Sequence, residues 1–160
     1  MVKTSKSASG LPTGCQVLES MPDILMIPEL IFGGLVWVLL LSTKEINLNP
    51  EGWLLMVSIF CFISSLIWLF VFFCGLNQGS FCLNLDFQYH WLATLLYFVV
   101  TVLHLSATMA GYPKRNSTSN SSIEPDLNKY LYFAARICYV MATLLYLIHA
   151  VKSFLRLKKA

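Results

Sequence analysis

The sequence predicts an all-α integral membrane protein folded as an antiparallel four-helix transmembrane bundle, and three observations carry that prediction. The first is composition: of 160 residues, 57% are hydrophobic and 12% charged, with a mean hydropathy of +0.68, whereas soluble domains hold about 45–50% apolar and about 25% charged residues. The second is that the apolar residues fall into four runs, each close to the roughly 20 residues that a helix needs to cross a bilayer. The third is that the connections between runs are short and polar, which makes successive helices neighbours of opposite direction. A chain this apolar and aromatic cannot stay solvated as a disordered coil. The net charge of +3 is small and scattered, so no nucleic-acid partner is expected, and the basic residues gather at the C-terminus, where a membrane surface suits them.

Residues 1–20 are small and polar, with Lys3, Lys6, Gly10, Pro12 and Gly14, and read as a flexible tail. No apolar segment of signal-peptide type occurs within them, so the first span is expected to act as its own signal. The first apolar run goes from Ile24 to Leu41, interrupted by Pro28 and Glu29. Proline near a helix start costs little, because the first backbone N–H groups have no intrahelical acceptor. The polar segment Ser42 to Gly52 closes that helix, and the second span follows from Trp53 to about Cys74. Gly75 to Asp86 reads as a connection, and Phe87 to Met109 as the third span. Ala110 to Asn128 is the longest polar stretch, and Lys129 to Val151 is the fourth span, followed by a basic tail, Lys152 to Ala160. The membrane domain thus covers residues 21–151, between a tail at 1–20 and a tail at 152–160.

Orientation follows from counting Lys and Arg in the flanks, since their excess marks the cytosolic side. The two tails and the second connection hold six against three in the first and third connections, so both termini are expected in the cytosol. Two N-x-[ST] sequons in the third connection, at Asn116 and Asn120, agree, because that connection is then lumenal and both asparagines are glycosylation candidates. Trp37, Trp53 and Tyr112 fall near the lumenal ends of spans, as an interfacial aromatic belt requires.

Ionisable residues inside a bilayer are costly, and Glu29, His104 and Arg136 are the intramembrane polar candidates. Glu29 lies about 8 Å deep by helical rise. A buried carboxyl there could carry protons or bind a cationic substrate, the basis of an alternative reading as a small proton-coupled transporter or channel subunit using Glu29 with His104. A polar packing group bonded to a neighbouring helix is the simpler reading. Arg136 is expected to snorkel to the lumenal headgroups, and His149 to face the cytosolic ones. Small residues recur at helical spacing: Gly33 and Gly34 in the first span, Ser58, Cys61 and Ser65 in the second, and Ala135, Cys138 and Ala142 in the fourth. Such stripes let membrane helices approach closely, here by internal packing, with a homo-oligomer face as the alternative.

The five cysteines form no C-x-x-C pair, and no ligand spacing suggests a metal or another cofactor. Cys74 and Cys82 flank a cytosolic connection and are palmitoylation candidates. No nucleophile and base share a recognisable spacing, no catalytic residue stands out, and an enzyme is not expected. The first connection is too short and lacks the cysteines of a claudin, and the third lacks those of a tetraspanin.

The stretch Pro22-Asp23, then Pro28 through Trp37 (PELIFGGLVW), Gly52-Trp53, Val57-Ser58 and Phe60-Cys61-Phe62 resembles the myelin and lymphocyte (MAL) proteolipid family. So do Leu85-Asp86, Tyr89-His90, Leu105 to Thr108, Ala142 to Tyr146 and His149 to Val151, and together the similarity covers about residues 11–158. The resemblance implies a MARVEL-type tetraspan proteolipid of cholesterol- and sphingolipid-rich membrane, without enzymatic activity. Its implied setting is the plasma membrane, raft or apical, and Golgi and endosomal vesicles, where it acts in vesicle transport, apical sorting or myelin organisation. The implied partners are those lipids and sorted membrane proteins. Glu29 falls on a family glutamate, which implies a shared packing role. Four features depart from the family: His104 stands where relatives carry an acid, Arg136 replaces an apolar residue, the third connection is longer and bears the sequons, and the basic tail lacks the family's Trp.

Overall fold

The computed structural model describes residues 12–43, 51–77, 80–109 and 124–159. Among the described residues every regular element is helical. Four long helices follow one another: α1 (Met26–Ser42), α2 (Glu51–Phe73), α3 (Ser80–Met109) and α4 (Glu124–Leu157). Two short 3-10 turns, Gly14–Leu18 and Asp23–Leu25, precede α1. By length and composition α1 with its leading turn, α2 and α4 are apolar enough to cross a membrane. At 30 residues α3 is long enough, but Asp86, Gln88, Tyr89, His90 and Trp91 make its first half more polar than the others. α1 packs against α2 and α4, and α3 against α4 and α2.

Local chemistry sets the helix ends. Pro28 is the third residue of α1, where its missing N–H removes no intrahelical bond. α1 stops where Thr43 turns extended, its hydroxyl donating to the Leu40 carbonyl at 2.6 Å. α2 ends in a Schellman turn: the Leu76 N–H reaches the Val71 carbonyl and the Gly75 N–H the Phe72 carbonyl, both at 3.1 Å. Gly75 has φ +69°, which a side chain would strain.

Three sequence expectations are corrected here. The segment 12–20, expected as part of a flexible tail, is folded: Val17 is fully buried with Met26, Phe72 and Leu83, and Asn77 donates to the Pro12 carbonyl at 2.8 Å. The reason is one apolar side chain, Val17, that a composition average hides. Helix α3 begins at Ser80, so Asp86 lies within a helix and not in a connection. Helix α4 runs six residues past Val151, to Leu157, because Ser153 and Arg156 find partners inside the fold.

The main core joins all four helices: Val36 and Leu40 of α1, Leu54, Val57 and Cys61 of α2, Ala93, Tyr97 and Val100 of α3, and Ala135, Cys138, Ala142 and Tyr146 of α4. Gly33 gives way to Tyr97, whose hydroxyl would stand 3.3 Å from a Cβ there, and Gly34 to the Phe62 ring at 3.2 Å. Ser58 and Ser65 are buried too. The small residues singled out in the sequence therefore lie where helices approach one another. The outward faces carry large apolar side chains, among them Ile31 and Val38 of α1, Phe60 and Ile67 of α2, Leu92 and Val99 of α3, and Ile137 and Leu144 of α4.

Candidate functional site

A stripe on α4 explains the site. Ala135, Cys138, Ala142, Tyr146, His149, Ser153 and Arg156 recur at intervals of three and four, so they share one helical face. The small members let α1 and α3 come close, and the polar members then meet what those helices present. On α3, Asp86, His90, Thr94 and Tyr97 form the matching stripe, and α1 contributes Glu29 in its first turn.

Glu29, Asp86, His90 and His149 are all fully buried and gathered in one cluster. His149 Nδ1 lies 2.9 Å from Glu29 Oε1, and His90 Nε2 lies 3.5 Å from Glu29 Oε2. His90 Nδ1 is 2.8 Å from the Asp86 backbone carbonyl and 3.2 Å from its Oδ1. His149 Nε2 is 3.8 Å from Asp86 Oδ1. The two imidazoles stack with centroids 3.4 Å apart and planes at 23°. Asp86 is anchored further by the Trp68 indole N–H, donating at 2.8 Å, and the Ser153 hydroxyl, donating at 2.6 Å.

Above the cluster a proton chain of neutral groups ties three helices together. Tyr89 donates to the Cys61 carbonyl at 3.0 Å. Its single proton is thereby used, so Ser65 donates to it at 2.6 Å and Tyr146 in turn donates to Ser65 at 2.8 Å. Below the cluster Arg156 holds Asp23 in a two-pronged grip, at 2.9 and 2.6 Å, and also reaches the Met21 carbonyl at 3.1 Å. Ser20 adds a bond to Asp23 at 2.9 Å. Three groups keep a buried atom without a hydrogen-bond partner in this cluster: Glu29 Oε2, His90 Nε2 and His149 Nε2.

The expectation that His149 faces headgroups is corrected. It is fully buried against Glu29, because it shares the α4 face with Ala142 and Tyr146 and that face is turned to α1. Glu29, expected as a lone carboxyl or a partner of His104, has His90 and His149 as partners; the side chain of His104 lies outside the described residues. Arg136 is partly buried on α4. Asn116 and Asn120 lie outside the described residues. Cys74 and Cys15 are exposed and Cys82 is partly so. Sequence reasoning passed over Asp23, Asp86, His90, Ser153 and Arg156 as site members. The signal was present as a period: polar residues at 86, 90 and 94 and at 149, 153 and 156 repeat with the interval of the small residues beside them.

No family model matches the chain, and no solved structure matches it. Similarity to known proteins is nonetheless clear. The myelin and lymphocyte protein of Canis lupus familiaris is 36% identical over 98% of this chain and 97% of its own length. That of Homo sapiens is 35% identical over 95% of this chain and 94% of its own. Plasmolipin of Danio rerio is 34% identical over 58% of this chain and 51% of its own length.

Proposed function

Because the chain belongs to the myelin and lymphocyte protein family, we propose that it is a non-enzymatic tetraspan proteolipid that organises cholesterol- and sphingolipid-rich membrane and supports the formation or sorting of transport vesicles. It is an integral membrane protein with three helices long and apolar enough to span. We take α3 as the fourth span, since its polar stripe is turned inward onto α4 and its other face, with Leu92, Leu95, Val99 and Val102, is apolar and exposed. Contacts support an antiparallel bundle: Asp23 with Arg156 and Glu29 with His149, then Asp86 with Ser153 and His90 with His149, pair residues that advance in opposite directions.

The single observation that carries the lipid role is the partition of polarity. Every strongly polar side chain of the inner half of the cluster is sealed from the surface, and what remains outside is a coat of Leu, Ile, Val and Phe on all four helices. Such a coat has acyl chains and sterol as its natural contacts. A compact bundle matched to thicker membrane lowers the mismatch cost of residing there. The basic residues Lys152, Lys158 and Lys159 at the exposed end of α4 suit an anionic cytosolic leaflet, which supports a reading with both termini in the cytosol.

The test is flotation of the tagged full chain in detergent-resistant, cholesterol-containing membrane, with an endoglycosidase digest of the same sample. Recovery in the light fraction that is lost on cholesterol extraction supports the reading. Exclusion from the light fraction overturns it. A mobility shift after digestion, abolished in the double variant Asn116→Gln and Asn120→Gln, assigns the connection between α3 and α4 to the lumen.

A further inference from the structure

Where α4 ends, aromatic rings of α3 and α4 form one continuous row with a cation at its head. Phe87 and Trp91 stand one turn apart on α3 and stack, with centroids 6.5 Å apart and planes at 23°. Phe154 of α4 lies against Phe87 at 5.3 Å, and the Lys158 ammonium, one turn further along α4, stands 4.6 Å from the centre of the Phe154 ring. At that distance the ring attracts the ammonium and holds a side chain that would otherwise swing freely. The row lies on the outside of the protein: Trp91 is 45% and Phe154 37% exposed, and Lys158 is exposed. Helices α3 and α4 run past each other in opposite directions here, since Asp86 meets Ser153 and His90 meets His149. The exposed Asn84, three residues before Phe87, is therefore on the turn of α3 level with Lys158.

The charge around this row is unbalanced. The acids of this end are turned inward and engaged, Asp23 by Arg156, Asp86 by Trp68 and Ser153, and Glu29 by His149. Glu19 is the exposed acid here, against the exposed Lys152, Lys158 and Lys159, and among the described residues no carboxylate pairs with Lys158. An ammonium has three N–H donors, and a ring face accepts none of them as a lone pair would. We propose that the crevice between the end of α4 and the first half of α3 binds one anionic glycerophospholipid, its phosphate on Lys158 and Asn84 and an acyl chain along Phe154, Phe87 and Trp91. The phosphate oxygens accept from the ammonium and the amide, and the chain covers rings that are otherwise half open. A basic crevice beside spanning helices at the cytosolic leaflet suits such a headgroup. A zwitterionic choline lipid would bring its own cation towards Lys158 and lose part of the gain.

A diffuse basic surface would attract the same lipids, but it would draw on Lys152 as much as on Lys158. Six residues separate the two, a rotation of about 240° around α4, so they point to different sides of the helix. Lys158 alone is seated on the ring row. The proposal rests on the membrane reading above, and the two fail separately, because lipid binding in detergent does not depend on the partition that flotation reads.

The test uses the full chain, delipidated in mild detergent and matched among variants for helical circular dichroism and monodisperse elution. Native mass spectrometry counts the lipids bound during titration with phosphatidylserine or with phosphatidylcholine of the same acyl chains. The expected result is one phosphatidylserine bound at about tenfold lower concentration than the first phosphatidylcholine. Lys158→Ala should weaken that binding about fivefold, Phe154→Leu about threefold by removing the ring beneath the ammonium, and Lys152→Ala by less than about twofold. Equal binding of the two lipids, or equal losses in Lys152→Ala and Lys158→Ala, would overturn the proposal and leave only a diffuse surface charge. Glycerophosphoserine, the headgroup without chains, should not displace the lipid at equal concentration; displacement would also overturn it, by showing that the aromatic row contributes nothing.

Discussion

Arg156 reaches the buried Asp23 through bonds of 2.6 and 2.9 Å while remaining 21% exposed, so the pair ties the end of α4 to the turn before α1. Replacing one member of such a pair leaves the other charge buried and unpaired, at a cost of a few kcal/mol. Arg156→Leu is accordingly expected to lower stability by about 2–3 kcal/mol, measured as a shift of the thermal midpoint in detergent, and Arg156→Lys to recover part of it by keeping the charge without the fork. Gly33 makes a second prediction at this scale. An added methyl would stand 3.3 Å from the Tyr97 hydroxyl, which a small shift absorbs, so Gly33→Ala is expected to stay within about 1 kcal/mol, whereas Gly33→Leu overpacks the site by about 1–3 kcal/mol or more. An equal midpoint for the two variants would show that this face is loosely packed. The residues that matter here were partly legible in the chain. Glu29 and Gly33 stand out against an apolar run, but His149 does not announce its direction, because a histidine near a helix end fits a headgroup and a buried partner equally well. Only the facing stripes of α1 and α3 decide between them.

The helices themselves are written plainly as apolar runs, and among the described residues three of them are long and apolar enough to cross a membrane. Their ends are less plain. Polar residues such as Asp86 and Ser153 look like connection, yet both lie inside helices because each finds the other across the interface between α3 and α4. The Val17 segment was hidden for the opposite reason, one apolar anchor in a polar stretch. Gly75 is the position where an element boundary depends on a single residue. With φ +69° in a Schellman turn, Gly75→Ala is expected to cost about 1 kcal/mol, seen as a lower thermal midpoint with unchanged helical content. An unaltered midpoint for Gly75→Ala would mean that the turn is not held in the left-handed conformation.

Among the described residues, polarity is inverted relative to a soluble domain: Asp23, Glu29, Asp86, His90, His149, Ser65 and Ser153 are enclosed, and Phe60, Ile67, Leu92, Val99, Ile137 and Leu144 are outside. Membership of the myelin and lymphocyte protein family was legible from the order of short apolar motifs along nearly the entire chain, and the 36% identity to a named relative shows it. The interior cluster was not, because its members come from three helices and no linear spacing joins Glu29 to His149. An outer surface of large apolar side chains predicts behaviour set by the bilayer. The measurement that tests this most directly is the partition of the fluorescently tagged full chain between ordered and disordered phases of giant plasma-membrane vesicles, before and after cholesterol extraction. Enrichment in the ordered phase that disappears with the cholesterol is the predicted result, and preference for the disordered phase in both conditions would contradict the account.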